Sequence, residues 1–271
     1  MTVASVTGTE RIARAFARAK AERRLAVLIY LTVGYPDRAS TPGLLRAALE
    51  GGADIIELGV PFSDPLADGA TVQRANDVAL ANGVTLADCL VAGRELVAAT
   101  DAPVVLMGYT NPFEQYGFQP FARDAAAAGI AGVIVPDMPA EESVGFGMEL
   151  AETRMARIDM FAPTTPDDRL ARLAPRSRGF VYCVSLTGVT GARRALGADV
   201  EAFVKRVRAH TALPIALGFG ISEPSHVAAL RGVVDGVAIG SAAIEAVSGA
   251  TGDRAQALRT FVRGLADAGR S

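Results

Sequence analysis

The chain has 271 residues, 27 of them basic and 29 acidic, and half are hydrophobic, so it can bury a sizeable core and is not disordered. Its formal net charge of −2 is spread without a basic stripe, which argues against a nucleic-acid partner. Cys89 and Cys183 stand in no disulfide or metal spacing, residues 1–24 hold no signal-peptide core, and no apolar run reaches membrane length, so a cytoplasmic protein with no membrane contact is expected.

A helical segment is predicted first, at 9–23, followed by a strand at 26–32 (AVLIYLT) and a helix at 40–51. The second strand is 54–60 (DIIELGV), then a helix at 85–99 and a third strand at 103–108. A helix at 117–128, a strand at 131–136, a helix at 140–153 and strands at 157–162 and 179–185 follow. The last units are a helix at 199–210, a strand at 213–219, a helix at 223–231, a strand at 234–239 and a closing helix at 252–268. The strands are nearly continuous in apolar residues, as parallel strands covered by helices are. Eight strands alternating with helices suit a closed α/β architecture, a (β/α)8 TIM barrel with an extra helix at each end, more than a doubly wound open sheet. No linker or low-complexity tract divides the chain, so residues 1–271 read as one domain.

Strand starts two and three lie 49 residues apart, and the surplus is the polar, turn-rich stretch VPFSDPLADGATVQRAND. Loops at the C-terminal ends of barrel strands carry chemistry. The stretch SLTGVTGARRALGAD between strands six and seven is long and glycine-rich, a candidate lid.

Glu57 interrupts an apolar strand. A carboxyl there lies in a low-dielectric setting that raises its pKa toward neutrality, where it can give and take protons; the alternative is a core carboxyl satisfied by a neighbour. Asp68 follows in the strand-end loop and could complete an acid and base pair, or simply make a turn, as Asp64 does on this reading. Glycines cluster at three successive strand ends, Gly188 and Gly191, Gly218 and Gly220, then Gly240 before Ser241. Backbone N–H groups and a helix N-terminus there suit a phosphate. By alternation, one of Tyr182 and Cys183 points inward. Cys183 has no histidine placed to activate it, His210 and His226 sit in surface-like contexts, and no constellation suggests a metal.

The run Leu58-Gly59-Val60-Pro61-Phe62-Ser63-Asp64-Pro65-Leu66-Ala67-Asp68-Gly69, preceded by Ile56-Glu57, resembles the signature of the tryptophan synthase alpha chain family. LTVGYP at 31–36, MGYTNPF at 107–113, VPDMP at 135–139, GVTG at 188–191, GFGIS at 218–222 and IGSA at 239–242 extend the resemblance over nearly the whole chain. It implies a lyase that cleaves indole-3-glycerol phosphate to indole and glyceraldehyde 3-phosphate by a retro-aldol step, without cofactor or metal. By that resemblance Glu57 is the general acid and base, Asp68 binds the indole N–H, and Tyr182 is an active-site tyrosine. Gly191, Gly220, Gly240 and Ser241 match phosphate contacts, and Tyr30, Ile134 and Phe219 line the apolar indole pocket. The implied partner is a tryptophan synthase beta chain in an alpha2beta2 heterotetramer, met through Pro61–Asp64 and the Asn111-Pro112-Phe113 region. A free-standing indole-releasing lyase, a weakly catalytic binding or regulatory subunit, and another phosphate-handling barrel are the competing readings. The chain departs from the family at Gly69-Ala70-Thr71, where Gly-Pro-Thr is frequent, and at Ser185-Leu186-Thr187, where Ser-Arg often stands before Gly-Val-Thr-Gly. Both departures bear on closure and partnership more than on the bond-breaking chemistry.

Overall fold

A computed structural model of the chain describes residues 6–184, 196–218 and 220–270. Helix α1 (Gly8–Ala21) precedes β1 (Ala26–Thr32), α2 (Thr41–Gly51) and β2 (Ile55–Gly59). Two helices, α3 (Ala70–Ala81) and α4 (Leu86–Ala99), lead to β3 (Val104–Met107), and α5 (Thr110–Tyr116) and α6 (Phe118–Ala127) lead to β4 (Gly132–Ile134). Next come α7 (Val144–Glu152), β5 (Ala156–Ile158), β6 (Met160–Phe161), α8 (Asp167–Leu173), β7 (Val181–Val184) and α9 (Leu196–Arg208). The chain ends with β8 (Ile215–Gly218), α10 (Pro224–Ala229), β9 (Gly236–Ile239), α11 (Ser241–Ser248) and α12 (Arg254–Ala268).

All strand pairs are parallel and run in the order β5-β4-β3-β2-β1-β9-β8-β7-β6. β5 and β6 are halves of one stave parted at Asp159, the first pairing with β4 and the second with β7, so eight staves make the barrel expected. Asp159 parts them because its carboxylate faces outward, held by Arg157 at 3.1 Å and by the Ser177 hydroxyl at 2.7 Å.

Alternate strand residues divide into two clusters, as pleating requires. Val27, Ile29, Ile56, Leu58 and Cys183 join the layer between barrel and helices, while Leu28, Ile55, Val105, Ile134, Phe180 and Tyr182 fill the interior. Burial pushes the Cys183 thiol up to about 12, consistent with an inert core residue.

The N-terminal end of the barrel is sealed by α1. A reciprocal capping box between Thr7 and Glu10 starts this helix, and its Ile12, Ala15, Phe16 and Ala19 join the interior cluster. Phe16 meets Phe180 with ring centroids 5.5 Å apart. Beside the seal, buried Asp54 accepts from Arg24 at 2.8 Å, from Arg18 at 3.1 Å and from the Val27 amide at 3.0 Å. A charge taken out of water is tolerated only with such full pairing.

The structure differs from the sequence reading at residues 70–81, which form a helix rather than a polar loop. Thr, Val, Asn and Asp are indifferent helix formers, and Gly69 at the N-cap makes no side-chain bond. Burial of Val72, Ala75, Asn76 and Ala79 on one face stabilises the helix instead.

Candidate active site

Glu57 points into the barrel from β2, where its Cα pairs with Tyr30 on one side and Val105 on the other. It is fully buried, and neither carboxyl oxygen meets a hydrogen-bond partner among the described residues. Burial pushes its pKa up to about 8. A neutral carboxyl in such a setting can give and take a proton, and no described residue fixes the one it carries.

Asp68 stands at the mouth of the same βα unit, just before α3. Its Oδ2 accepts from Asn76 Nδ2 at 3.3 Å, and Tyr109 lies beside it. Tyr109 is held in turn: its hydroxyl accepts the Ala67 N–H at 3.0 Å and its ring stacks on Phe62 at 5.4 Å. Burial pushes Asp68 up to about 6, and the neighbouring Tyr109 hydroxyl and the Asn76 amide oppose that rise. The two carboxyls therefore differ by environment, Glu57 the stronger holder of its proton.

Two tyrosines complete the chamber. Tyr182 is the inward member of its strand pair, and Tyr30 lies buried with its hydroxyl 3.2 Å from the Thr32 hydroxyl. Each is pushed up by burial first and further by the charges of Asp68 and Glu57. Tyr30 is the strand partner of Glu57 and packs with Val72 and Ala75 of α3, the helix that follows Asp68. Both rings depend on a glycine in the neighbouring strand. A Cβ on Gly59 would overlap the Tyr30 hydroxyl, and one on Gly218 would overlap the Tyr182 hydroxyl. Gly218→Ala is therefore expected to destabilise the fold by about 1–3 kcal/mol and to lower kcat about tenfold or more by displacing the ring. Thermal melts and an activity assay on the purified variant check this, and wild-type values in both would refute the seat.

At the closing strands, Gly240 is the N-cap of α11 and Ser241 its exposed first residue, with no side-chain cap on the helix. The first N–H groups of a helix lack helical acceptors and present a positive dipole end. Gly220 nearby has φ +84°, a conformation that L side chains rarely adopt. Ile134 is fully buried in the interior cluster. Of the candidate lid at 185–199, residues 185–195, with Gly191 among them, lie outside the described residues, as does Phe219, while 196–199 form the start of α9.

The sequence reading did not reach Asn76, Tyr109 or Thr32. Only Asn76 leaves a trace in the sequence, as a polar residue on the apolar stripe 72, 75, 76 and 79. Phe113, assigned to a partner surface, is instead core: fully buried, with its ring 4.7 Å from that of Phe121. A cavity of about 320 Å³ between the turn after β4 and α8 contains none of the site residues. Its Arg157 donates to the Ser143 hydroxyl at 2.6 Å and pairs with Asp159, which makes it wall rather than site. Among the described residues no group of three His, Cys, Asp or Glu could hold a metal ion, and no helix is long and apolar enough to cross a membrane.

A parallel eight-stave barrel with two carboxyls of unequal pKa in its mouth, beside an uncapped helix N-terminus, belongs to the barrel enzymes that move protons on anionic substrates. The profile of the tryptophan synthase alpha chain matches residues 16–268. The tryptophan synthase alpha chain of Roseiflexus castenholzii is 51% identical over 238 residues, 88% of this chain and 91% of that one. That of Chloroflexus aggregans is 45% identical over 260 residues, 95% and 97% of the two chains. A tryptophan synthase structure from Mycobacterium tuberculosis superposes with a TM-score of 0.89 at 38% identity, covering 96% of this chain and 98% of that one. The chain belongs to the tryptophan synthase alpha chain family, and is a carbon–carbon lyase of the kind that cleaves indole-3-glycerol phosphate.

Proposed function

We propose that Glu57 and Asp68 divide the chemistry of the cleavage between them, with Tyr182 beside them. The observation that carries this reading is the inward, fully buried and unpartnered carboxyl of Glu57 in the same chamber as a second carboxyl. Protonated Glu57 gives its proton to the indole ring carbon that bears the side chain, which makes that carbon tetrahedral and leaves positive charge on the ring nitrogen. Ionised Asp68 accepts the indole N–H and stabilises that charge more in the transition state than in the ground state. The Glu57 carboxylate then takes the proton of the side-chain hydroxyl. The oxygen becomes the aldehyde of glyceraldehyde 3-phosphate, the C–C bonding pair returns to the ring, and neutral indole leaves.

Tyr30, Ile134 and Phe219 form the apolar walls for indole, with the Tyr30 hydroxyl turned to Thr32. Gly191, Gly220, Gly240 and Ser241 hold the phosphate, supported by the open N-terminus of α11. Residues 1–271 act as one cytoplasmic domain that hands indole to a tryptophan synthase beta chain in an alpha2beta2 assembly. The contact surface is the Pro61–Asp64 loop, where Ser63 and Asp64 are exposed and Leu66 just beyond is 93% exposed, together with Asn111 and Pro112.

The test is indole release from indole-3-glycerol phosphate by the purified chain, alone and with a beta chain from the same organism. Slow turnover that rises sharply with the beta chain is the expected result. Fast turnover indifferent to the partner would replace the assembly with a free-standing lyase, and no indole in either case would overturn the residue roles.

A further inference from the structure

Asn76 is the polar exception on the buried face of α3. It shares that face with Val72, Ala75 and Ala79, and is only 1% exposed. Its Nδ2 donates to Asp68, while its Oδ1 is buried with no hydrogen-bond partner among the described residues. A buried amide satisfied at one end costs stability relative to an apolar side chain of similar shape. Helix packing therefore gives no reason for asparagine here, whereas the bond to Asp68 does.

The helix that carries Asn76 is itself anchored. Val72 and Ala75 share a small cluster with Tyr30 of β1 and Ile244 of α11, and the Thr71 hydroxyl donates to Glu245 of α11 at 3.0 Å. One packed unit thus joins the support of Asp68 to the helix whose N-terminus is free for phosphate.

We infer that Asn76 is a positioning residue for the cleavage, fixing the Asp68 carboxylate against the substrate's ring nitrogen from a helix held in register with α11. The inference rests on the role proposed above for Asp68. The titratable groups around Asp68 among the described residues are Tyr30 and Tyr182 from the barrel and Tyr109 from the turn after β3, with Glu57 acting on the same two barrel tyrosines. On α3, the Gln73 amide goes to the Asp68 backbone carbonyl at 3.0 Å, and Arg74 and Asp77 lie on the exposed face. Against burial, which favours the protonated acid, stand the Asn76 donor at 3.3 Å and the neighbouring Tyr109 hydroxyl among the described residues. Losing the Asn76 donor removes one of these two counterweights.

The experiment compares the full chain with Asn76→Leu, which keeps the volume and removes the amide, and with Asp68→Asn. Three quantities are measured: indole-release kinetics against pH, thermal stability, and the titration of the Asp68 carboxyl by 13C NMR on aspartate-labelled protein. For Asn76→Leu, kcat at pH 7 is expected to fall about 10- to 100-fold with KM little changed. The Asp68 titration and the acid limb of the rate profile should both move up by about one pH unit or more, with Tm equal to or above wild type. A residue of structural importance alone would lower Tm and leave the titration where it was. Asn76→Ala gives the same comparison should leucine not be accommodated. Wild-type kcat and an unmoved titration in the Asn76 variant, with Asp68→Asn inactive, would overturn the inference while leaving the role of Asp68 intact. An active Asp68→Asn would instead overturn that role, and the inference with it.

Discussion

Replacing Glu57 with glutamine is expected to abolish indole release, lowering kcat about 10³-fold or more, while making the folded chain more stable. The loss follows from chemistry, because an amide of the same shape can neither deliver a proton to the ring carbon nor receive one from the hydroxyl. The gain follows from burial. Burial moves the Glu57 pKa from 4.5 to about 8. Below pH 4.5 the folded and unfolded chains are both protonated there and the site is neutral toward folding. Between pH 4.5 and about 8 the unfolded chain releases a proton that the folded chain keeps, so stability falls as pH rises and levels off above about 8. Glutamine does not titrate, and its advantage over wild type should grow across that window to about a few kcal/mol, since each pKa unit corresponds to about 1.4 kcal/mol. Urea or thermal melts at pH 5 and pH 8 measure it. An advantage equal at the two pH values would mean that Glu57 does not carry the raised pKa, and activity within tenfold of wild type would remove it from the mechanism.

The second large effect is on Asp68. Asp68→Asn should lower kcat about 10²- to 10³-fold, the usual loss when a fixed group that stabilises transition-state charge is removed. It should also reshape the pH profile. With the roles proposed above, the wild-type enzyme works with Asp68 ionised and Glu57 protonated, so kcat/KM should rise through about pH 6 and fall through about pH 8. The two carboxyls share tyrosine neighbours, so these limbs are properties of the pair. In Asp68→Asn the acid limb should vanish and the alkaline limb remain. A profile flat between pH 5 and pH 9 in the wild-type enzyme would rule out this division of protonation states.

The staves were legible because a strand buried on both faces must be a continuous apolar run, and Glu57 was legible because it breaks one. Which of Tyr182 and Cys183 faces inward was not, since alternation sets a period but no phase; the phase comes from closure of the ring. The parting of the fifth strand at Asp159 was hidden for a related reason. It depends on Ser177, 18 positions away in sequence, and no local pattern contains that bond. Residues 70–81 were misread because their helicity rests on tertiary burial rather than propensity, and with that helix went Asn76. Phe113 looked like a surface aromatic in a polar motif, but the turn of α5 carries it against Phe121 and Phe146.

The seal made by α1 has a consequence for the protons. Among the described residues, Ile12 and Phe16 fill the lower interior of the barrel, which leaves the mouth as the way from the fully buried carboxyl of Glu57 to bulk water. On the mechanism proposed above, that is also the end at which the substrate binds. An occupied mouth therefore closes the route by which Glu57 could exchange its proton, and the carboxyl enters each turnover with a single proton to lend. In the proposed mechanism the proton given to the ring carbon is replaced by the one taken from the hydroxyl, so the enzyme would be recharged by its own product-forming step before the products leave.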